Sequence, residues 1–303
     1  MVPRYLVMLA AYNGRQWIAE QVNSILNQEN VSVTLLISVD TSDDGTEQWV
    51  TDLANSDARV QYLPHGGKFG GAARNFFRLV KEAPTENFDY FSFADQDDIW
   101  LPRKLIQAVD VISQRCVDGY SANVTAFWPD GRERVIIKSQ PQVQYDHLFE
   151  AAGPGCTYVF SKKLFIKLQK HITNNFSEVQ SVTLHDWYCY AFSRTHGFTW
   201  EIDSHSYMRY RQHANNQVGV NSGVKAFHAR LSKVFDGWWL NQSLLISTLL
   251  GVSDTPFVRS WSNLRRSDLA RLAMEGFKCR RRLRDKFVFT GLCLTLVILR
   301  QNK

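Results

Sequence analysis

Residues 91–100 constrain this chain more than any other segment. An apolar run typical of a strand ends at Asp95, and Asp97 and Asp98 follow within three positions. Carboxylates this close repel one another, so the cluster is costly unless a cation lies among them. Oxygen ligands suit Mg²⁺ or Mn²⁺, and these ions keep coordination positions open for phosphate groups. The segment therefore predicts a metal–phosphate site at a strand end, and the alternative is a solvated acidic turn before the next helix.

Short apolar runs alternate with amphipathic stretches in the first half of the chain. This pattern predicts an α/β fold with a mostly parallel sheet flanked by helices. The predicted strands cover residues 5–11, 31–39, 59–63, 88–94 and 122–128, with a turn at 153–155 before a strand at 156–160. A polar excursion is predicted over 129–147, a helix over 184–194, and strands near 198–203 and 206–210. From about residue 224 onward the pattern is helical.

The amino-acid composition limits the class of protein to which this chain can belong. A chain of 303 residues with 45% hydrophobic and 21% charged residues is globular and can bury a full core. The five scattered cysteines contain no C-x-x-C pair, which argues against a disulfide framework or a zinc site and fits a reducing cytosol. The short apolar run at the N-terminus predicts a first strand rather than a secretory signal.

The positive charge lies in the last quarter of the chain. Residues 226–303 contain 14 Lys and Arg against 5 Asp and Glu, whereas the formal net charge of the whole chain is only +6. Few aromatic residues interleave with the basic run, so the pattern favours an anionic membrane surface over nucleic acid as the partner.

Polar residues follow three of the predicted strands. Tyr12 and Asn13 come after the first strand, Asp40 after the second, and the acidic cluster after the fourth. Parallel strands bring these ends to one edge of the sheet, where α/β folds bind ligands. That edge could hold a nucleoside, its ribose and its diphosphate. No G-x-G-x-x-G follows the first strand, which argues against a dinucleotide-dependent dehydrogenase.

The chain resembles the family 2 glycosyltransferases, which are inverting enzymes that use nucleotide sugars and have the Rossmann-like GT-A fold. Within that family it is most similar to bacterial rhamnosyltransferases of cell-surface polysaccharide (O-antigen) assembly. The matching segments are 11–14, 39–46, 68–72, 95–105, 153–160, 185–187 and 210–216. One departure is Val39, because the family often has two acidic residues at the end of the second strand and here only Asp40 remains.

The resemblance implies a role for each matching residue. Donor contacts are expected from Ala11, Tyr12, Asn13, Asp40, Lys68, Gly71, Asp95, Gln96, Arg211 and His213. The expected cofactor is Mg²⁺ or Mn²⁺, held by Asp97, Asp95 and His213. Acceptor contacts are expected from Trp100, Gly155, Cys156, His185 and Trp187.

Asp186 is the candidate catalytic residue. It lies at a predicted helix start and matches the general base of the family, which deprotonates the acceptor hydroxyl. The alternative is a helix N-cap, since Asp at a helix start accepts hydrogen bonds from unpaired N–H groups.

These features predict a GT-A catalytic domain over 1–222 and a basic helical region over 223–303. The expected reaction is inverting transfer of a sugar, L-rhamnose from dTDP-L-rhamnose, onto a lipid-linked oligosaccharide. The expected location is the cytoplasmic face of the bacterial inner membrane. Two alternatives use the same residues: a metal-dependent nucleotide-sugar phosphohydrolase, and a non-catalytic protein that binds nucleotide sugars at the membrane surface.

The end of the chain combines a basic cluster over 278–286 with an apolar stretch over 287–299. A membrane-spanning helix needs about 20 apolar residues, so this stretch is too short to cross a bilayer. It can lie in the membrane interface, with the basic cluster near anionic lipid. The alternative is a last helix buried against the catalytic domain.

Overall fold

Nine strands form one mixed sheet in the part of the chain that the structure describes. The computed structural model describes residues 2–64, 67–213 and 237–299. The strands are β1 (Arg4–Ala11), β2 (Ser32–Val39), β3 (Val60–Tyr62), β4 (Tyr90–Asp95), β5 (Ile99–Trp100), β6 (Gly119–Phe127), β7 (Glu133–Ile136), β8 (Val159–Ser161) and β9 (Trp200–Arg211). Their order is β3-β2-β1-β4-β8-β6-β9-β5, and β7 pairs with β6.

The sheet is parallel on one side and mixed on the other. Strands β3, β2, β1 and β4 are parallel neighbours, whereas β8 runs antiparallel to both β4 and β6. β9 is parallel to β6 but antiparallel to β5. The predicted α/β fold is therefore confirmed, and the parallel part is the half whose strand ends build the site.

Helices cover both faces of the sheet. The part of the chain before residue 214 contains α1 (Ile18–Leu26), α2 (Thr46–Ser56), α3 (Ala72–Glu82), α4 (Lys104–Arg115), α5 (Lys162–Asn174), α6 (Phe176–Val179) and α7 (His185–Thr195). Seven of the eight residues of β1 are buried, because a parallel strand between two helical layers meets apolar surroundings on both faces. Leu6 and Met8 face the core under α3, α5 and α7, whereas Val7 and Leu9 face the core under α1 and α4.

Three local predictions differ from the structure. The segment predicted as a strand over 156–160 begins with a 3₁₀ turn, Gly155–Thr157, and extends only from Val159. The polar excursion over 129–147 contains the edge strand β7 and a 3₁₀ turn, Asp146–Leu148. The two short strands near 198–210 form the single strand β9, whose pairing with β6 shifts register after Ala122.

The C-terminal region is helical, as predicted. It contains α8 (Trp238–Leu249), α9 (Pro256–Arg259), α10 (Arg266–Met274), α11 (Gly276–Cys279) and α12 (Leu283–Leu299). The predicted boundary at 222/223 and the end of the 210–216 motif lie outside the described residues. Among the helices that are described, none is both long and apolar enough to span a bilayer.

The C-terminal helices share an apolar core with residues 148 and 149 of the preceding part of the chain. Phe289, Cys293 and Leu296 of α12 are buried in this core together with Trp261. Phe149, which follows the 3₁₀ turn at 146–148, contacts the rings of Trp261 and Phe289. One face of α12 is therefore buried against the rest of the protein, as the buried-helix alternative predicted.

Two phenylalanines in one turn of α12 test this packing. Phe289 is buried and Phe287 is 61% exposed. Phe289→Ala leaves a cavity in the core and should lower the free energy of unfolding by about 3–5 kcal/mol. Phe287→Ala removes an exposed ring and should change it by less than about 0.5 kcal/mol. Urea denaturation of both variants measures the difference, and equal losses would contradict the packing.

Candidate active site

The loops after β1 and β2 lock together at the edge of the sheet. Asn13 has a φ of 44°, a left-handed conformation that Asn tolerates better than most residues. Its backbone N–H donates to Ser42 Oγ at 3.0 Å, and its Oδ1 accepts from the N–H of Asp43 at 3.0 Å. The N–H of Gly14 donates to Thr46 Oγ1 at 2.9 Å. Asn13, predicted to contact the donor, thus has a structural role in joining two strand ends.

Gln96 connects the loops after β1 and β4. Its Oε1 accepts from the backbone N–H of Tyr12 at 2.8 Å, and its Nε2 donates to the Tyr12 carbonyl at 2.7 Å. A Cβ on Gly14 would lie 2.0 Å from Gln96 Oε1, so only glycine fits beside this side chain. The Tyr12 ring remains exposed at the rim. These contacts place the ends of the first and fourth predicted strands together.

Asp40 holds the glycine-rich loop that precedes α3. The side chain is buried, and its Oδ1 accepts from the N–H groups of Thr41 and Phe69 at 2.8 Å. Its Oδ2 accepts from Gly70 N–H, also at 2.8 Å. The main chain of β1 meets the same residue, because the Asp40 N–H donates to the carbonyl of buried Ala11.

Two other predicted donor residues lie at the ends of this loop. Lys68 is exposed, and Gly71 immediately precedes the first residue of α3. The loop thus presents Lys68 beside the strand ends, while Asp40 fixes its backbone.

The acidic cluster is largely withdrawn from water. Single ligand atoms of Asp95, Asp98 and Cys156 lie within 4.8 Å of one another. Burial and the neighbouring Asp97 and Asp186 charges raise the pKa of Asp95 to about 7. Burial, with Asp97 and Asp95 nearby, raises the pKa of Asp98 well above its usual range. Both shifts belong to a cluster without a cation, and a bound cation would lower both pKa values.

The donor set fits a hard divalent cation. Asp98 is 1% exposed, its Oδ1 accepts from the Arg211 N–H at 3.2 Å, and its Oδ2 has no hydrogen-bond partner among the described residues. An unpartnered buried carboxylate oxygen is costly unless a cation satisfies it. Carboxylate oxygens are the ligands that Mg²⁺ and Mn²⁺ prefer.

Asp97 and His213, two of the predicted metal ligands, meet in the structure. Asp97 Oδ2 lies 2.6 Å from His213 Nε2, and the imidazole stacks on Trp17 with ring centroids 4.1 Å apart. This contact joins the segment that follows β9 to the loop that follows β4. Sequence separation hides this contact, since the two residues are 116 positions apart.

Arg211 crosses from β9 to the same loop. Its Nε donates to the Asp97 carbonyl at 2.7 Å, and its guanidinium pairs with Glu20 of α1. The guanidinium also lies over the Phe127 ring, 4.7 Å from the centroid. Arg211 therefore lies beside the predicted metal ligands and is oriented by protein groups.

Asp186 is at the start of α7 but does not cap it. The N-cap residue is Leu184, which makes no side-chain cap hydrogen bond. Asp186 Oδ1 accepts from the N–H of Trp187 at 2.8 Å. Burial raises the pKa of Asp186 to about 6. Asp186 is therefore not the N-cap residue, although it accepts one first-turn N–H as the N-cap alternative expected, and a carboxylate with this pKa can accept a proton near neutral pH.

Gly155 and Cys156 bring Asp186 and the acidic cluster together. A Cβ on Gly155 would lie 3.3 Å from Asp186 Cβ and 2.6 Å from His185 Nε2. Cys156, the next residue, lies within the cluster of Asp95 and Asp98. The end of β4 and the start of α7 thus face each other across this turn.

His185 packs as a neutral aromatic ring. It stacks on Phe76 with centroids 3.9 Å apart and meets the edge of Phe93 at 5.3 Å. Burial lowers the pKa of His185 to about 3, so the ring carries no charge at neutral pH. Its position beside Asp186 and Gly155 agrees with a place near the predicted acceptor side.

Three predicted acceptor contacts are corrected by burial. The exposed fractions of Trp100, Cys156 and Trp187 are 2%, 0% and 3%. Trp187 Nε1 donates to the His147 carbonyl at 2.9 Å, and the Trp100 ring lies under Lys104 Nζ. Burying a large apolar side chain is lower in free energy than exposing it to water at the edge of the sheet. These side chains form the packed layer beneath the site and do not contact an acceptor in this conformation.

Sequence reasoning missed Lys104 and Gln21. Lys104 is 4% exposed with its Nζ 3.5 Å from the Trp100 ring centroid, and burial lowers its pKa to about 7. Gln21 of α1 is fully buried, and its Nε2 donates to the Asp95 carbonyl at 2.9 Å. Only a weak sequence signal was present for these two residues, namely a polar side chain on the apolar face of an amphipathic stretch.

The sheet edge and the facing carboxylate are an arrangement suited to group transfer from a phosphorylated donor. The chain belongs to glycosyl transferase family 2, because the model of that family matches residues 6–194. The protein is therefore a glycosyltransferase, and the predicted family is confirmed.

Two relatives and one solved structure illustrate the similarity. The chain is 42% identical to the dTDP-rhamnosyl transferase RfbG of Shigella flexneri over 291 residues, which cover 96% of this chain and all of the relative. It is 26% identical over 172 residues to the UDP-Glc:alpha-D-GlcNAc-diphosphoundecaprenol beta-1,3-glucosyltransferase WfgD of Escherichia coli, covering 56% of this chain and 62% of WfgD. The structure of S. aureus TarS 1-349 in complex with UDP superposes with a TM-score of 0.56 at 14% identity, covering 97% and 90% of the two chains. This last likeness confirms the fold.

The raised pKa of Asp186 predicts an unusual stability profile. The pKa is about 6 in the folded protein against an ordinary value of 3.8, so the folded state binds the proton more tightly than the unfolded state does. The buried charge therefore destabilises the fold above pH 6, and this cost disappears as the pH falls below about 4. Asp186→Asn should melt at a higher temperature than the wild type at pH 8, with the difference vanishing near pH 4. A variant less stable at pH 8 would contradict the assigned environment.

Proposed function

We propose that the protein transfers L-rhamnose from dTDP-L-rhamnose to a hydroxyl of a lipid-linked oligosaccharide, with inversion at the anomeric carbon. The observation that carries the proposal is the placement of Asp186 opposite the acidic end of β4, in a chain 42% identical to a dTDP-rhamnosyl transferase. The other relative supports a lipid-linked acceptor, because its name gives a diphosphoundecaprenol acceptor.

In this mechanism Asp186 is the general base. It accepts the proton of the acceptor hydroxyl while that oxygen forms a bond to the anomeric carbon of the donor. The bond from that carbon to the diphosphate breaks, and dTDP leaves. Such a base contributes roughly 10²–10⁴-fold to the rate. Gly155 leaves room beside Asp186, and the neighbouring ring of His185 carries no charge that would compete for the proton.

The divalent cation belongs at the acidic cluster. Asp97, Asp95 and His213 would hold Mg²⁺ or Mn²⁺, with Asp98 available through its unpartnered Oδ2. When bound, the cation supplies positive charge to the departing diphosphate. Tyr12, Gln96 and the loop at 68–71 would surround the nucleotide.

A donor screen tests the reaction. The purified protein is incubated with dTDP-L-rhamnose, UDP-glucose or UDP-GlcNAc, with Mn²⁺, and with or without a polyprenyl-diphosphate oligosaccharide. Nucleoside diphosphate release from dTDP-L-rhamnose that requires the acceptor is the expected result. Release without acceptor would favour the phosphohydrolase alternative, and binding without release would favour the non-catalytic one.

Asp186→Asn should lower turnover by roughly 10²–10⁴-fold, because the amide cannot accept the proton. Asn Oδ1 can still accept from the Trp187 N–H, so dTDP affinity and folding should be retained. Steady-state turnover and dTDP binding by calorimetry separate the two effects. Turnover close to that of the wild type would remove Asp186 from the mechanism.

Asp97→Asn should abolish transfer while the circular dichroism spectrum stays unchanged, because an amide lacks the charge that holds the cation against the diphosphate. Excess EDTA should inactivate the wild type, and added Mn²⁺ should restore it. Full activity of the wild type in excess EDTA would exclude the metal from the reaction.

We propose further that the protein lies at the inner face of the bacterial membrane through one side of α12. Leu283, Phe287, Leu294 and Ile298, here called the outer stripe, are 48–75% exposed and lie opposite the buried face of this helix. Exposed Lys278, Arg282 and Arg284 adjoin the stripe. Apolar groups beside basic residues match the interface of an anionic bilayer, where each basic residue contributes about 1 kcal/mol.

The double variant Phe287→Asp/Ile298→Asp should lose binding to vesicles of phosphatidylglycerol and phosphatidylethanolamine, because it places charge in the apolar stripe. Ile137→Asp is the matched control, since Ile137 is 59% exposed and follows β7 in sequence, outside α12. Vesicle sedimentation at low salt measures the binding. Equal binding by all three proteins would contradict this surface.

A further inference from the structure

Asp146 joins the C-terminal helices to the helix that carries Asp186. Its carboxylate is fully buried, and Oδ2 accepts from Tyr190 Oη at 2.8 Å and from Arg281 Nη1 at 3.0 Å. Its Oδ1 accepts from Arg194 Nη1 at 3.2 Å. A buried carboxylate is tolerated only when such partners satisfy it. Tyr190 and Arg194 belong to α7, so Asp146 links that helix to Arg281.

A second contact connects the same turn to the residue after Asp186. Asp146 and His147 lie in one 3₁₀ turn, and the His147 carbonyl accepts from Trp187 Nε1 at 2.9 Å. The turn at 146–148 therefore holds α7 at its first turn and also at Tyr190 and Arg194. A shift of this turn would move the start of α7.

Arg281 also holds the chain that leads to Gly155. The Arg281 side chain is 2% exposed, its Nη2 donates to the Ala151 carbonyl at 2.6 Å, and its backbone N–H donates to Glu150 Oε1 at 2.6 Å. Four residues after Ala151, Gly155 approaches Asp186 so closely that an added Cβ would lie 3.3 Å from Asp186 Cβ. Arg281 thus contacts two segments that lead to Asp186: the turn at 146–148, through Asp146, and the chain before Gly155, through Ala151.

We infer that Arg281, in the C-terminal region, is a positioning residue for transfer: by holding Asp146 and Ala151 together it sets the position of Asp186. This inference rests on the proposed role of Asp186 as the base. The guanidinium suits the task because its planar fork reaches a carboxylate and a carbonyl at once, whereas an ammonium is a point charge. The C-terminal region is then part of the catalytic machinery and more than an anchor.

The position of the donor should be independent of Arg281. Gln96 holds the Tyr12 loop, and Asp40 holds the loop at 68–71, each through its own hydrogen bonds. Loss of Arg281 should therefore misplace the base and leave the donor site intact. The signature is a fall in kcat with unchanged KM for the donor.

Three variants test the inference. Arg281→Met should lower kcat roughly 10- to 100-fold, the effect of misplacing a reacting group by about 1 Å. Arg281→Lys keeps the charge and one contact, so its kcat should lie between those of Arg281→Met and the wild type. Arg259→Met is the control, because Arg259 is an exposed arginine of the same region that pairs with Asp254, and it should behave as the wild type. Donor KM and dTDP binding should be equal in all four proteins.

A folded Arg281→Met protein with wild-type kcat would overturn the inference. So would a parallel loss of dTDP binding and kcat in both Arg281 variants, or their failure to fold, because each points to a purely structural role. Asp186→Asn in the same assay keeps the two proposals apart. If Asp186→Asn is fully active, the base assignment fails whatever the Arg281 variants do.

Discussion

Repulsion among the carboxylates at the end of β4 is the constraint on which the site depends. Asp95 and Asp98 are held near Cys156 where water cannot solvate them well, and the pKa values of both carboxyls rise accordingly. The protein surrounds them with groups that limit the cost: the N–H of Arg211, and the Nζ of Lys104 nearby. The arrangement is costly without a cation, and that cost is the reason the cluster is suited to bind one.

The positions of the strand ends could be predicted from the sequence, because neighbouring parallel strands run in the same direction and so end at the same edge of the sheet. Asn13, Asp40 and Asp95 each follow a buried apolar run, and such runs place their carboxyl ends at one edge. The hydrogen bonds from the Tyr12 N–H to Gln96 and from the Asn13 N–H to Ser42 show that these ends are joined. Local pattern sufficed there, since β2, β1 and β4 are parallel neighbours in the sheet.

Burial at the acceptor side could not be predicted in the same way. Trp100 and Trp187 lie next to motif residues in sequence, but tertiary packing decides which side of the backbone meets water. Cys156 and Thr157 belong to the strand predicted over 156–160 but lie in the turn Gly155–Thr157, where Gly155 closely approaches His185 and Asp186 of α7. Contacts of this kind leave no periodic signal.

The basic segment at 278–286 also shows that sequence pattern alone does not decide which side chains are exposed. This affects the choice of variants for experiments. Counted along the sequence it is one cationic cluster, yet the structure turns Arg280 and Arg281 inward to Glu150 and Asp146 and leaves Arg282 and Arg284 exposed. Removing residues 278–303 would delete the exposed basic groups, the outer stripe and the Arg281 contacts together. Truncation therefore cannot separate membrane binding from catalysis. Substitutions confined to the exposed side of α12 can, because they leave the buried face and the Asp146 contacts in place.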